Sequence, residues 1–126
     1  MTAVPCIHHV SLLISDTQRA LDFYHGVLGL PLVPDRPEMG FPGAWLRIGE
    51  QQLHLLELPQ QLATETASLH GGRDRHFALA VGDFESLRQA LEANGIKYTL
   101  SRSGRSALFC RDPDGNAVEI MEHKTD

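Results

Sequence analysis

Two histidines begin the same short sequence pattern at two places in the chain. His9 opens the segment HVSLLISD and His76 opens HFALAVGD, so each histidine stands seven positions before an aspartate, Asp16 or Asp83. The residues between them are mostly apolar. A recurring pattern of this kind marks an internal structural repeat. Each copy places an imidazole, which can act as a base or as a metal ligand, at the start of a predicted strand.

The same order of elements follows both histidines. Asp16 and Asp83 are good N-caps for amphipathic helices that Gly29 and Gly95 end. Alternating apolar residues predict the strands, and Gly- and Pro-rich segments predict the loops between them. Each half is predicted as strand, helix and three more strands, with strands over 7–14, 30–33, 44–48, 52–58, 76–81, 96–100, 106–111 and 117–122 and helices over 17–28 and 84–94.

In each half, alternation along the strands places two candidate site residues on the sheet face opposite the bulky aliphatic residues: His9 and His54 in the first half, and His76 and Glu119 in the second. His9 and His54 are 45 positions apart and His76 and Glu119 are 43 apart, so the repeat makes His54 and Glu119 equivalent. Imidazole and carboxylate groups suit a divalent Zn, Ni, Co, Fe or Mn ion, and three ligands leave positions for substrate. The other histidines are interpreted as ordinary polar residues: His8, His25, His70 and His123.

Three further residues are predicted to share the face of the first two histidines. Ser11 lies two positions after His9, and Trp45 and Arg47 alternate along their strand. A guanidinium suits a carboxylate or phosphate, so Arg47 is a candidate substrate contact. Glu57 points to the opposite face from His54 and is interpreted as a structural or solvent-exposed carboxylate.

Composition limits the partners. The chain has 126 residues, the size of one domain, and its net charge of −5 argues against nucleic acid or an anionic membrane as a partner. It has no apolar run long enough to span a membrane and no basic segment typical of a signal peptide. Two cysteines, Cys6 and Cys110, are too few for a disulfide framework. They are expected to be buried thiols, and the protein is expected to be cytoplasmic.

These motifs resemble those of the vicinal oxygen chelate (VOC) superfamily, which includes glyoxalase I, fosfomycin- and bleomycin-resistance proteins and extradiol dioxygenases. The resemblance runs over about 7–122, and beyond the two histidine segments it rests on Phe23-Tyr24 and on the stretch from Asp112-Pro113-Asp114-Gly115 to Glu119. It implies an α+β fold of two βαβββ modules forming a curved mixed sheet around a metal-binding cleft. The single domain would cover 1–126, with module 1 at about 5–58, a linker at 59–72 and module 2 at about 73–123.

The resemblance also implies the site. One divalent metal would be bound by His9, His76 and Glu119, with His54 at the position of a further ligand, in a protein that forms homodimers. The metal would hold the vicinal oxygens of a small substrate while Glu119 or a bound water moves a proton. The expected function is therefore that of a glyoxalase-like lyase or isomerase.

Two positions depart from the family pattern. Leu13 stands where glyoxalase I has an arginine, and Phe109 stands where fosfomycin transferases and extradiol dioxygenases tend to have a tyrosine. Phe109 keeps an aromatic wall for the substrate but cannot donate a proton. The alternatives to a lyase or isomerase are an Fe²⁺ dioxygenase that uses His9, His76 and Glu119, and a resistance protein that binds a small molecule.

Overall fold

The computed structural model describes residues 3–59 and 69–123. Contacts within the chain divide it into two compact units, Met1–Gln61 and Leu62–Asp126. Most of the predicted linker, at positions 60–68, lies outside the described residues. A short 3₁₀ turn, Gly71–Arg73, leads into the first strand of the second unit. Both units contain helix and mixed sheet, which confirms the prediction of an α+β fold.

The first unit contains β1 (His9–Ile14), α1 (Thr17–Leu21), a π-helical segment (Asp22–Val27), β2 (Gly43–Ile48) and β3 (Gln51–Glu57). The sheet order is β1-β3-β2, with β1 parallel and β2 antiparallel to β3. The side chain of Asp16 accepts a hydrogen bond from the Arg19 amide at 2.9 Å, so the predicted cap is confirmed. Aliphatic residues on one sheet face are fully buried, among them Ile14, Leu46, Leu53 and Leu55.

The predicted strand over 30–33 is reduced to a single bridge between Leu32 and Leu46. The Val33 amide donates to the Trp45 carbonyl, and the Arg47 amide donates to the Pro31 carbonyl, both at 2.8 Å. The ladder does not continue because proline at positions 31 and 34 has no amide hydrogen to donate. The first unit therefore follows the βαβββ order with a minimal second strand.

The predicted helix over 17–28 changes form at Asp22. From there the hydrogen bonds span five residues, as in the 2.9 Å bond from the Leu28 amide to the Phe23 carbonyl. Phe23 and Tyr24 are both buried although they are neighbours in the sequence, and their rings meet edge to face. We attribute the wider π turn to the packing of two consecutive aromatic side chains into one core.

The second unit contains β4 (His76–Val81), α2 (Phe84–Ala93), β5 (Tyr98–Leu100), β6 (Ala107–Arg111) and β7 (Ala117–Glu122). The sheet order is β4-β7-β6-β5, with β4 parallel to β7 and the other pairs antiparallel. Asp83 accepts from the Ser86 amide at 3.0 Å, so the second cap is also confirmed. The βαβββ order predicted for this half is present in full.

Among the described residues, no helix is both long and apolar enough to cross a membrane.

Candidate functional site

One face of the first sheet carries a stack of three rings. The His54 ring lies between those of His9 and Trp45, with centroid separations of 4.1 Å on both sides. The register explains the stack, because Trp45 is directly opposite His54 on β2, and His9 lies on the adjacent strand β1. The strand alternation predicted from the sequence is therefore correct for these three residues.

His54 is one of three buried polar or charged residues in the part of the chain that the structure describes, and it is only 8% exposed. Its Nε2 lies 2.8 Å from Oε1 of Gln52, which occupies the same face two positions earlier. Burial lowers the pKa of His54, and the nearby His9, His8 and Arg36 lower it further. A neutral imidazole is the form that can coordinate a metal.

His8, interpreted from the sequence as an ordinary polar residue, contacts His9. It precedes β1, so strand alternation does not place it on the opposite face. Its Nδ1 lies 2.9 Å from Nδ1 of His9, and the two rings meet edge to face. His8 therefore belongs to the ring cluster of the first unit and influences how His9 is oriented.

The remaining candidates in the first unit lie beside this cluster. Ser11 is opposite His54 in the β1–β3 register, and Arg47 is opposite Gln52 in the β2–β3 register. Both side chains are exposed and share the face of the ring stack. Glu57 accepts from the amide and the hydroxyl of Thr17 at 2.8 and 3.0 Å, so it serves the start of α1 as a structural carboxylate.

In the second unit, His76 and Glu119 are paired. His76 Nε2 lies 3.2 Å from Glu119 Oε1, on neighbouring strands of the sheet. The other ring nitrogen, Nδ1, lies 2.9 Å from the Asp74 carbonyl. That carbonyl fixes the ring so that Nε2 points towards the carboxylate. A backbone carbonyl is one of the groups that commonly hold the second nitrogen of a metal-binding histidine.

Glu119 is buried, with 4% of its surface exposed, and its second oxygen has a partner that sequence reasoning missed. Arg105 Nη2 donates to Oε2 at 2.9 Å. Arg105 lies in the loop before β6, and its side chain is about half exposed. Its cationic end reaches the buried carboxylate, and a buried charge of this kind requires compensation.

An ion pair supports the segment that orients His76. Arg111 Nη1 donates to Asp74 Oδ2 at 2.9 Å and to the Gly115 carbonyl at 2.7 Å. The hydrogen bond from Arg111 lowers the pKa of Asp74, and the Arg75 amide lowers it further. Asp74 therefore stays ionised and holds its own backbone in place, including the carbonyl that contacts His76.

Phe109 contacts two histidines of the second unit. Its ring lies edge to face with His76 at 5.2 Å and with His70 at 4.8 Å. His70 is interpreted from the sequence as an ordinary polar residue, and its Nδ1 lies 2.6 Å from Thr99 Oγ1, a contact consistent with that interpretation. The turn that follows it is packed so closely that a Cβ at Gly71 would come within 2.7 Å of the Ala117 Cβ.

Gln52 and Arg105 are not predicted as site residues from the sequence, although strand parity indicates the face on which each lies. Gln52 precedes His54 by two positions and therefore shares its face. Extending the alternation of β6 backwards from Phe109 places position 105 on the face of Glu119. Parity gives the face of each residue, but the contacts of Gln52 with His54 and of Arg105 with Glu119 depend on how far each side chain reaches, which parity does not give.

The structure brings the four predicted ligands together as two pairs, one in each unit. Within 3–59 and 69–123, no group of three or more His, Cys, Asp or Glu side chains is placed to hold a metal ion. The donor types fit a divalent transition metal. In the second unit, the 3.2 Å between His76 Nε2 and Glu119 Oε1 is close to the separation of roughly 3.3 Å expected for two ligands of a tetrahedral zinc ion.

Comparisons with known proteins identify the family and the fold. The family model described as the Glyoxalase/Bleomycin resistance protein/Dioxygenase superfamily matches residues 6–120. Lactoylglutathione lyase of Escherichia coli O157:H7 is 30% identical over 124 residues, covering 92% of this chain and 91% of that protein. Glutathione transferase FosA of Serratia marcescens is 29% identical over 119 residues, covering 90% and 78%. A glyoxalase family protein from Bacillus anthracis has the same fold, with a TM-score of 0.76, 23% identity and coverage of 98% and 99%.

Proposed function

The chain belongs to the Glyoxalase/Bleomycin resistance protein/Dioxygenase superfamily, as its VOC-like motifs indicate, and we propose that it is a metal-dependent lyase or isomerase. Its substrate is a small molecule with two neighbouring oxygens. The two units act as the modules of one domain. The pairing of an oriented His76 with a buried Glu119 is the observation that carries the proposal.

The proposed ligands are His9, His76 and Glu119, with His54 as a fourth. His54 is kept neutral by its burial, and the Asp74 carbonyl holds His76 with Nε2 directed at the carboxylate. When bound, the metal would polarise the substrate oxygens and stabilise negative charge that develops on them.

Glu119 transfers the proton, and the side chains around the ligands contact the substrate. Glu119 is the base that moves the proton, since it is the buried carboxylate on the face of the second sheet. Trp45 and Phe109 provide flat apolar surfaces beside the histidines. Ser11 and Arg47 are exposed on the face of the first sheet, where a hydroxyl and a guanidinium can contact substrate oxygens.

Two residues of the chain, Phe109 and Leu13, favour a lyase or isomerase reaction, whereas the similar proteins do not distinguish between reactions. Two relatives at about the same identity carry the names of a lyase and of a transferase, so similarity does not separate these reactions. Phe109 has no hydroxyl to act as a proton donor. Leu13 carries no charge, so it cannot pair with glutathione as the arginine of glyoxalase I does. Proton transfer at a carboxylate requires neither group, and this favours lyase or isomerase chemistry on a substrate other than that of glyoxalase I.

Metal binding in single-site variants tests the proposal. Wild-type protein is expected to retain about one equivalent of Co²⁺, Ni²⁺ or Zn²⁺ after desalting. His9→Ala, His76→Ala and Glu119→Gln should each weaken metal binding by about 100-fold or more, because residues that only orient ligands already change affinity about 10–100-fold. Metal content by elemental analysis and affinity by titration are the measurements.

The control is His123→Ala, which removes an exposed histidine just beyond β7 and should leave metal content unchanged. Unchanged stoichiometry in all three ligand variants would contradict the site assignment. Retention of Fe²⁺ with consumption of oxygen would favour a dioxygenase. A protein that binds small molecules tightly with no metal would favour a binding protein.

A further inference from the structure

The Arg105–Glu119 ion pair places a cation where the proposed function requires a metal. Glu119 Oε1 lies near His76 and Oε2 accepts from Arg105, so the carboxylate already has a positive partner at 2.9 Å. The two side chains differ sharply in exposure, 5% for Glu119 and 55% for Arg105. The Arg105 guanidinium therefore contacts both the buried Glu119 carboxylate and the solvent.

Charge balance changes once a metal binds to Glu119. One carboxylate would then lie beside a divalent cation and a guanidinium, which leaves an excess of positive charge. On the sheet face that carries Glu119, the described positions of β4, β6 and β7 hold no second carboxylate; besides His76 and Arg111 they are Ala78, Ala80, Ala107, Phe109, Ala117 and Met121. Asp74 is paired with Arg111, and Glu122 belongs to the opposite face of β7. An anion from the substrate would restore the balance.

A cavity lies beside Arg105 and could admit such an anion. Its volume is about 380 Å³, and it is lined by Gly104, Arg105, Ser106, Met121 and Glu122. Arg105, which donates to Glu119, lines the cavity, and so does Met121, two positions after Glu119 on β7. The Glu122 carboxylate also lines it, and Arg105 is its cationic group. A guanidinium presents several donors in one plane, so once it is released from Glu119 it can bind an anion with two of them.

We propose that Arg105 and this cavity form a subsite for an anionic group of the substrate, a carboxylate, phosphate or phosphonate. This proposal rests on the proposed function, because binding of a metal at Glu119 is what releases Arg105 from its present partner. Arg105 holds Glu119 while the metal is absent and binds the substrate anion when the metal is present. The substrate is therefore an anion at neutral pH.

Removing the charge of Glu119 tests the subsite without any metal. In metal-free protein, Glu119→Gln should bind inorganic phosphate about tenfold tighter than wild type, because Arg105 no longer has a charged partner. The double variant Glu119→Gln/Arg105→Ala should lose this gain. Arg102→Ala, a change of an exposed arginine in the same loop, should leave phosphate binding unaffected when combined with Glu119→Gln. Titration calorimetry with phosphate and with acetate separates phosphate-like from carboxylate substrates.

Phosphate binding that is no tighter in Glu119→Gln, or that persists in the double variant, would overturn the subsite. Circular dichroism checks folding, and Glu119→Ala replaces Glu119→Gln if that variant is unfolded. Arg105→Ala provides an independent measurement: it should bind Co²⁺ about fivefold tighter than wild type, because a competing cation is gone. These phosphate titrations need no metal, so failure of the metal site and failure of the subsite give different results.

Discussion

At the scale of single residues, the two cysteines differ in burial although the same environment is predicted for both. Cys6 and Cys110 were both expected to be buried, but Cys6 is exposed and only Cys110 is buried. Burial raises the pKa of the Cys110 thiol to about 12, and the nearby Asp112 contributes to the rise. The apolar neighbours of Cys110 in β6 account for the difference, whereas Cys6 precedes β1 and has no sheet to cover it.

Thiol labelling should therefore be selective. With iodoacetamide at about pH 8, native protein is expected to incorporate one label at Cys6. Cys110 should remain unlabelled, because its raised pKa keeps it protonated and its burial prevents contact with the reagent. Cys6→Ser should abolish labelling of the native protein, and unfolding should restore one label. Rapid modification of Cys110 in the folded protein would contradict the packing of β6.

At the scale of the elements, the register of β2 on β3 is what brings Trp45 over His54. Gly43 begins β2 and approaches β3 so closely that a Cβ there would lie 2.1 Å from the Leu55 carbonyl oxygen. The obstacle is backbone, so it cannot move as a flexible side chain would. Glycine at this position permits the strand pairing on which the ring stack depends.

Gly43→Ala should destabilise the protein by about 2 kcal/mol, because one of the two strands must shift. A loss of that size corresponds to a fall in Tm of about 8 °C in a chain of this length, measurable by thermal denaturation. Gly82→Ala is the matched control, since a Cβ at that position meets no atom within 4 Å. Equal Tm values for the two variants would show that the β2–β3 approach is not as tight as described.

At the scale of the whole molecule, the net charge of −5 and the family membership determine what can be expected of its assembly and partners. The charge predicts weak binding to nucleic acid. The homodimer implied by the family resemblance stays a prediction. Light scattering after size exclusion should give twice the mass of one chain, and a mass of one chain across a range of concentrations would contradict the dimer.

Periodicity and turn chemistry in the sequence are enough to predict the α+β class, the repeated order of elements, both aspartate caps and the faces of the strands. These features depend on residues near one another in the chain: side chains alternate with a period of two in a strand, and a cap bonds to the next turn. His9, Trp45 and His54 could be assigned to one face for this reason.

Only the tertiary structure decided the contacts that depend on loops and on packing. The reach of Arg105 to Glu119, the support of His76 by the Asp74 carbonyl and the contact of His8 with His9 join residues whose geometry no local pattern specifies. The π turn at Phe23 and the exposure of Cys6 likewise follow from which surfaces the core covers. The alternation of residues along a strand determines which sheet face a side chain lies on, and the packing of distant segments determines which residues it contacts.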